Sequence, residues 1–233
     1  IAKYGKNELV AATQVPLYDR EGDRNGYLGY KYKHWFRYTF KYGDYVKAGL
    51  TGAQDAGEPF FSNCNKLGYD HYAYYLLVRK LGRFKAIALG QYKLRLGLGL
   101  TMNTGFTLGK TATTTMSIPT NAITANSSRS EAYYLQGAAT TISVAKYLDA
   151  TAFVSYRKVD ATLNADGTVK TLLRTGYHRT QSEIEQRHNT SQFVAGGNIN
   201  WKANGLRIGA TAFHTAFNRP LKPNEAQAYQ RYA

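Results

Sequence analysis

The chain has 233 residues, and its 30 lysines and arginines against 15 aspartates and glutamates give a formal net charge of +15. Aromatic residues make up 14% of the chain, so it has too many large apolar side chains for an intrinsically disordered polymer. The single cysteine, Cys64, excludes an intrachain disulfide framework. The longest apolar run, residues 72–78 (YAYYLLV), is far shorter than the ~18 residues of a membrane-spanning helix.

Alternation of apolar and polar residues with a period of two predicts β-strands along most of the chain. In chain order, the predicted strands cover residues 8–18, 27–40, 45–54, 69–80, 83–100, 132–146, 150–159, 192–201 and 205–217. Short turns typical of hairpins are expected at residues 22–26, 42–44, 81–82, 147–149 and 203–205. Helical periodicity is almost absent, so the sequence predicts an all-β chain of successive antiparallel hairpins.

Longer connections rich in Thr, Ser, Asn and Gly separate these hairpins. They lie near residues 56–67, 101–130 and 161–190. Short turns that alternate with long polar loops are typical of an outer-membrane barrel, whose two ends face different compartments. We find no linker that divides the chain, and therefore expect one domain over residues 1–233.

The two faces of the predicted strands differ in chemistry. One face is cationic, and we expect it to line a wet lumen; its residues are Lys31, Lys33, Arg37, Lys47, Lys85, Lys93 and Arg95. The other face is apolar, and we expect it to contact lipid; its residues include Tyr92, Leu94, Leu96, Leu98, Phe193, Ile199 and Trp201.

Within lipid, a sheet must close on itself to pair its backbone polar groups. The pattern therefore predicts an antiparallel up-and-down transmembrane β-barrel of the outer-membrane type. A soluble antiparallel sheet with one wet face is the alternative.

The cationic face bears on function and partners. A lumen of one charge sign would favour anions. We expect outer-membrane lipids as partners, together with other outer-membrane proteins or surface lipoproteins. A soluble basic β-protein that binds nucleic acid or another polyanion is the alternative, but no nucleic-acid-binding signature is present, and we do not expect nucleic acid as a partner.

Two glycine-containing segments resemble nucleotide-binding loops only superficially. Residues 105–111 (GFTLGKT) have three residues between their glycines where a phosphate-binding loop needs four. Gly97 and Gly99 lack the third glycine and the βαβ setting of a dinucleotide fingerprint. We therefore predict no nucleotide cofactor.

Two groups of polar residues are weak candidates for chemistry. His178, Glu183, Glu185 and His188 offer metal ligands, but a solvated loop or short helix fits this polar stretch better. Asp55 and Glu58 offer an acid–base pair or a cation site, whereas a hydrogen-bonded turn is more ordinary.

No nucleophile elbow appears, and nothing near Cys64 marks an activated thiol. The sequence therefore predicts a protein that is not an enzyme, with no catalytic residues, no metal and no cofactor.

Several short blocks of the chain carry a family resemblance. They are residues 49–60 (GLTGAQDAGEPF), 68–76 (GYDHYAYYL), 89–110 (LGQYKLRLGLGLTMNTGFTLGK), 131–139 (EAYYLQGAA), 149–163 (DATAFVSYRKVDATL) and 175–183 (TGYHRTQSE). Over most of residues 27–217 the chain resembles the barrel portion of Bacteroidota outer-membrane proteins usually labelled helix-hairpin-helix domain-containing. The resemblance implies an exported β-barrel in the cell outer membrane. The module that gives the family its label would precede Ile1, so the resemblance does not extend to DNA binding.

The chain departs from the family pattern at both ends. It opens on a predicted strand without a leader, and it ends on YQRYA rather than on the aromatic residue that usually closes such barrels. About ten strands are few for a whole wall, so we expect an incomplete barrel. The function that follows is a pore or a barrel subunit of a larger outer-membrane assembly.

Overall fold

The computed structural model describes residues 4–62, 65–105 and 122–223, and this part of the chain is almost entirely β-strand. The strands are β1 (Lys6–Gln14), β2 (Lys33–Tyr42), β3 (Val46–Gln54), β4 (His71–Leu81), β5 (Phe84–Leu96), β6 (Met102–Asn103), β7 (Ala122–Ala125), β8 (Leu135–Ala145), β9 (Leu148–Val159), β10 (Ala161–Leu163), β11 (Val169–Leu172), β12 (Thr190–Ala203) and β13 (Leu206–Phe217). Two short helices, α1 (Glu21–Arg24) and α2 (Gln181–Glu185), lie in connections. The predicted all-β class is confirmed.

One large antiparallel sheet contains every strand except the small hairpin of β10 and β11. Its path runs β1-β2-β3-β4-β5-β8-β9-β12-β13, and β6 and β7 both pair with β5. Neighbours in space along this path are therefore neighbours in sequence, apart from the two interruptions that follow β5 and β9. This is the up-and-down order that the succession of predicted hairpins indicated.

The connections differ sharply between the two ends of the sheet. Tight turns join β2 to β3, β4 to β5, β8 to β9 and β12 to β13, and they lie at one end, the short-turn end. The other connections lie at the opposite, long-loop end. The tight turn predicted at residues 22–26 is wrong, because α1 lies there within a long connection over residues 15–32. An Arg20–Asp23 ion pair of 2.7 Å stabilises this helical turn.

The second half of β5 leaves its neighbour β4. Pairing between the two strands reaches Tyr75 opposite Gly90 and goes no further, and Tyr92 to Arg95 pair instead with β7. Gly90 has a φ of +85°, and a Cβ there would lie 2.4 Å from the carbonyl oxygen of Tyr74. Glycine is therefore needed where β5 changes partner.

An apolar core covers one face of the sheet, here called the core face. Leu94 and Leu96 of β5 belong to the same buried cluster as Ala139, Phe153 and Val194 from β8, β9 and β12. Met102 of β6 and Ile123 of β7 belong to it as well. The end of β5, β6 and β7 therefore form an inner layer packed on the core face.

This inner layer overturns part of the face prediction for β5. Tyr92, Leu94 and Leu96 were expected to contact lipid, but their exposed fractions are 0%, 1% and 2%. They are buried because their strand turns onto the core face after Gly90, so its apolar side chains pack against protein. Leu98 lies in the turn between β5 and β6 and is exposed.

The opposite face of the sheet, here called the outer face, is apolar and exposed. One cross-strand row on this face is apolar on seven consecutive strands from β2 to β12; it consists of Phe40, Ala48, Leu76, Leu89, Ala138, Val154 and Ala195. Phe193, Ile199 and Trp201 also lie on this face, on the side of β12 opposite the buried Val194, and 58% of Ile199 is exposed. They are therefore exposed on an apolar face, and their contact with lipid stays a prediction.

The two edge strands stand apart from the core. Over the described residues, β1 pairs only with β2 and β13 pairs only with β12. All nine residues of β1 are exposed, and most of β13 is exposed on both faces. The described sheet therefore has two open edges, where backbone groups are available for further pairing.

Candidate functional site

The predicted basic residues of β2 and β3 share the core face, and the lumen that they were predicted to line stays a prediction. Arg37 lies opposite Thr51, which is fully buried on the core face, and Lys47 lies opposite Leu77. Lys33 lies on the same side of β2 as Arg37 and forms an ion pair with Asp55. Lys31 lies just before β2 and pairs with Asp19 at 2.9 Å.

The prediction is wrong for the basic residues of β5. Lys93 and Arg95 alternate with Tyr92 and Leu94 and therefore point away from the apolar core. Lys85 sits at a register shift near the short-turn end, where its ammonium group pairs with Asp149 at 2.6 Å. The seven basic residues therefore do not form one continuous face.

A buried charged cluster lies at the long-loop end of the sheet, with His178 at its centre. Only 1% of His178 is exposed. Its Nδ1 donates to Asp70, and its Nε2 lies 2.9 Å from Oδ2 of Asp160. Asp70 directly precedes β4 and Asp160 directly follows β9, so His178 joins two distant parts of the sheet.

The pKa values of His178 and Asp160 fit a charged imidazole that is held by carboxylates. Burial disfavours protonation of His178, but its hydrogen bonds to Asp160 and Asp70 outweigh burial and raise its pKa to about 10. Burial likewise opposes ionisation of Asp160, yet the His178 ring and the backbone N–H of His188 lower its pKa. At neutral pH the cluster therefore contains an imidazolium that neutralises buried carboxylates.

Two glutamates of the same charged cluster are harder to ionise than an exposed glutamate. Burial, reinforced by the charge of Asp70, raises the pKa of Glu58 to about 7. Burial and the same carboxylate raise the pKa of Glu131 to about 8. Glu58 accepts hydrogen bonds from the backbone N–H groups of Asp55 (2.7 Å) and His178 (3.0 Å). It therefore ties its own loop to that of His178.

Basic side chains complete the cluster. Arg187 lies 3.1 Å from Oδ1 of Asp70 and donates to the carbonyl oxygen of the same residue. Arg157 stacks over the ring of Tyr134 and donates to the carbonyl oxygens of Glu131 and Ala132. Charge-assisted hydrogen bonds thus hold together the β3–β4 connection, the segment that precedes β8 and the β9–β12 connection.

The cluster has ligand atoms suited to a metal ion, but those of its central histidine are already engaged. Glu58, Asp70 and His178 offer atoms within 4.8 Å of one another, and Glu131 and Asp160 form a second such group with His178. Both ring nitrogens of His178 are taken up by carboxylates, so neither is available as a ligand or as a general base. The geometry is that of an ion-pair network.

A cavity of about 560 Å³ adjoins the network. Its lining includes Glu131, Tyr134, Arg157, Asp160 and Arg174. The charges of its wall are mixed, and Arg157 and Asp160 are already bound to other groups of the protein. It gives solvent a route to the carboxyl group of Glu131.

The residues that the sequence singled out for metal binding separate in the structure. His178 is buried, whereas Glu183 caps α2 and pairs with Arg179 at 2.9 Å. Glu185 accepts a hydrogen bond from Gln181, and His188 donates its backbone N–H to Asp160. The expected short helix is present, but the expectation that the whole stretch is solvated is wrong at His178.

The remaining sequence motifs add no site beyond the charged cluster, to which Glu58 belongs. Asp55 and Glu58 lie in the hydrogen-bonded turn that was the ordinary alternative. Gly97 and Gly99 lie in the turn from β5 to β6, with φ values of +59° and +82°. Cys64 and residues 106–111 lie outside the described residues.

Sequence reasoning missed Asp70, Glu131 and Asp160. Asp70 directly precedes β4, Glu131 lies shortly before β8, and Asp160 directly follows β9, so all three lie on connections of the long-loop end. That shared position was the available signal, because alternating short and long connections place all such carboxylates at the same end of an up-and-down sheet.

Comparisons with known proteins add no relative. No protein-family model, no curated protein and no solved structure matches the chain. The resemblance to the Bacteroidota barrel family therefore stays a prediction. Among the helices of the described ranges, none has the length and apolar character needed to cross a membrane.

Proposed function

We propose that this chain forms part of the wall of an outer-membrane β-barrel. It acts without catalysis, as a barrel subunit or a pore. The observation that carries the proposal is the outer face, where a row of apolar side chains crosses seven strands; Leu76, Leu89 and Val154 in this row are exposed, and its other members are half-buried. An exposed apolar surface of this extent marks a membrane or protein contact.

The two ends of the sheet support the same proposal. The four tight turns of the β2–β3, β4–β5, β8–β9 and β12–β13 hairpins lie at the short-turn end, and the long connections of the described sheet lie at the other. In outer-membrane barrels the short turns face the periplasm and the long loops face the exterior. We therefore orient the His178 cluster towards the outside, where it would brace the exposed loops.

The open edges need a partner in a bilayer, because unpaired backbone groups are costly in lipid. We propose that β1 and β13 pair with each other or with further strands on insertion. The inner layer of β5, β6 and β7 fills space on the core face, which favours an occluded barrel subunit over a wide open pore. Proteins that co-purify in mild detergent would distinguish a subunit from an independent pore.

Membrane fractionation combined with gel electrophoresis of unheated and heated samples tests the proposal. We expect the protein in the outer-membrane fraction, and we expect it to migrate differently after boiling, because a closed barrel resists detergent until heated. Extraction without detergent and identical migration before and after heating would contradict it. In that case the soluble polyanion-binding alternative predicts oligonucleotide binding that weakens steeply with salt.

A further inference from the structure

Three lysines form a row across the core face at the short-turn end. Lys6 of β1 lies directly opposite Lys41 of β2, and Lys41 lies directly opposite Lys47 of β3. Neighbouring strands are about 4.8 Å apart, so the three side chains leave the sheet close together. On β4, Leu77 is the cross-strand partner of Lys47, and Arg79 follows Leu77 on the same face of the strand.

These cations lack carboxylate partners. In the part of the chain that the structure describes, none of Lys6, Lys41, Lys47 and Arg79 forms an ion pair. Lys47 is repelled by Lys41 and Arg79 and rests over the ring of Tyr75. Like charges directly opposite one another destabilise a sheet, so this arrangement is unfavourable unless an anion joins it.

Two carboxylates lie near the row without neutralising it. Glu8 follows Lys6 on the same face of β1, where it lies opposite Thr39. Asp44 lies in the turn between β2 and β3, and its nearest cation is Lys80 at 3.7 Å. The row therefore keeps a positive excess even with its acidic neighbours included.

A cavity opens at this row. It has a volume of about 270 Å³, and Lys41, Lys47 and Arg79 line it together with Asp44 and Leu77. Arg79 also donates to the carbonyl oxygen of Ile123 in the inner layer, which fixes its guanidinium group at the cavity wall. The cations thus converge on a space that a ligand can enter.

We propose that this cavity binds an anion that carries two adjacent phosphate groups. Lysine ammonium groups bind phosphate as point charges, and a guanidinium adds paired donors for phosphate oxygens. Lys41, Lys47 and Arg79 around one cavity match the several negative charges of two adjacent phosphates better than they match a single small anion. The ligand is either a free diphosphate or the diphosphate headgroup of a lipid. The proposal depends on the core-face charges and not on the membrane function proposed above.

Calorimetric titration of pyrophosphate into the full chain, folded in neutral detergent micelles at low salt, tests the proposal. We expect saturable binding, which Lys41→Gln and Lys47→Gln each weaken about tenfold through the loss of one charge-assisted contact. Lys146→Gln is the matched control, because Lys146 lies at the same end and stacks on Tyr147 away from the row. Circular dichroism confirms that each variant keeps its strands.

A second titration separates the two ligand sources. In it, neutral nanodiscs doped with a diphosphate lipid replace the micelles. If binding that depends on Lys41 and Lys47 occurs in the nanodiscs but not with pyrophosphate in micelles, the ligand is a lipid headgroup. Absence of binding in both formats overturns the proposal. Equal weakening by Lys41→Gln and Lys146→Gln also overturns it, because binding would then reflect net charge alone.

Discussion

His178→Ala is expected to lower the free energy of unfolding by about 3–5 kcal/mol near neutral pH, the cost of breaking a buried ion pair on one side. The variant leaves Asp70 and Asp160 buried without the cation that lies between them. Urea unfolding in detergent micelles, followed by tryptophan fluorescence, measures this loss. His188→Asn is the matched control, because the His188 ring makes no hydrogen bond over the described residues and asparagine tolerates its φ of +51°.

The same cluster gives the stability a defined pH dependence. The pKa of His178 rises on folding from 6.5 to about 10, so its contribution is complete below pH 6.5 and is lost as the pH rises towards 10. Glu58 and Glu131, with raised pKa values of about 7 and 8, act in the same direction because their ionisation disfavours the fold. Stability in the parent chain should therefore fall from pH 6 to pH 10. A flat profile, or a His178→Ala loss no larger than that of His188→Asn, would contradict this role.

Val154→Arg is expected to cost about 2–4 kcal/mol in lipid vesicles, because it places a guanidinium at mid-strand on the surface that we propose contacts acyl chains. In water the same change at a half-exposed position would cost little, since Val154 is 42% exposed and points away from the core.

The control for this substitution is Val144→Arg. Val144 is 52% exposed but lies beside the turn from β8 to β9, where in the proposed barrel a charge would reach the bilayer surface, and a cost of about 0–1 kcal/mol is expected. Reversible urea unfolding from vesicles gives both values. Equal small costs at the two positions would show that the outer face contacts water.

The sequence was informative where structure depends on local alternation. Period-two patterns lie within single strands, so β3, β4, β9 and β13 were predicted close to their observed bounds. The same rule failed for the distal half of β5, because alternation shows that one face is apolar but not which medium it meets. The change of partner at Gly90, which directs Leu94 and Leu96 onto the core face, depends on contacts with distant strands.

The charged cluster could not be predicted residue by residue. Asp70 and His178 are 108 positions apart, and Glu58 and His178 are 120 apart. Each residue sits in a polar connection that looks ordinary by itself, and the ion pair exists only because the sheet gathers these connections at one end. Sequence patterns predict that end of the sheet, but they do not predict which carboxylates turn inwards.

The most direct test of lipid contact uses the two tryptophans of the chain. Trp201 lies on the outer face, whereas Trp35 lies on the core face beneath the guanidinium of Arg129. Trp35→Phe and Trp201→Phe each leave one fluorophore, and vesicles with lipids brominated near the headgroup end of the acyl chain quench only a tryptophan that touches them. We predict strong quenching of Trp201 and weak quenching of Trp35. Equal quenching of both, or none of Trp201, would contradict the assignment of the outer face to lipid.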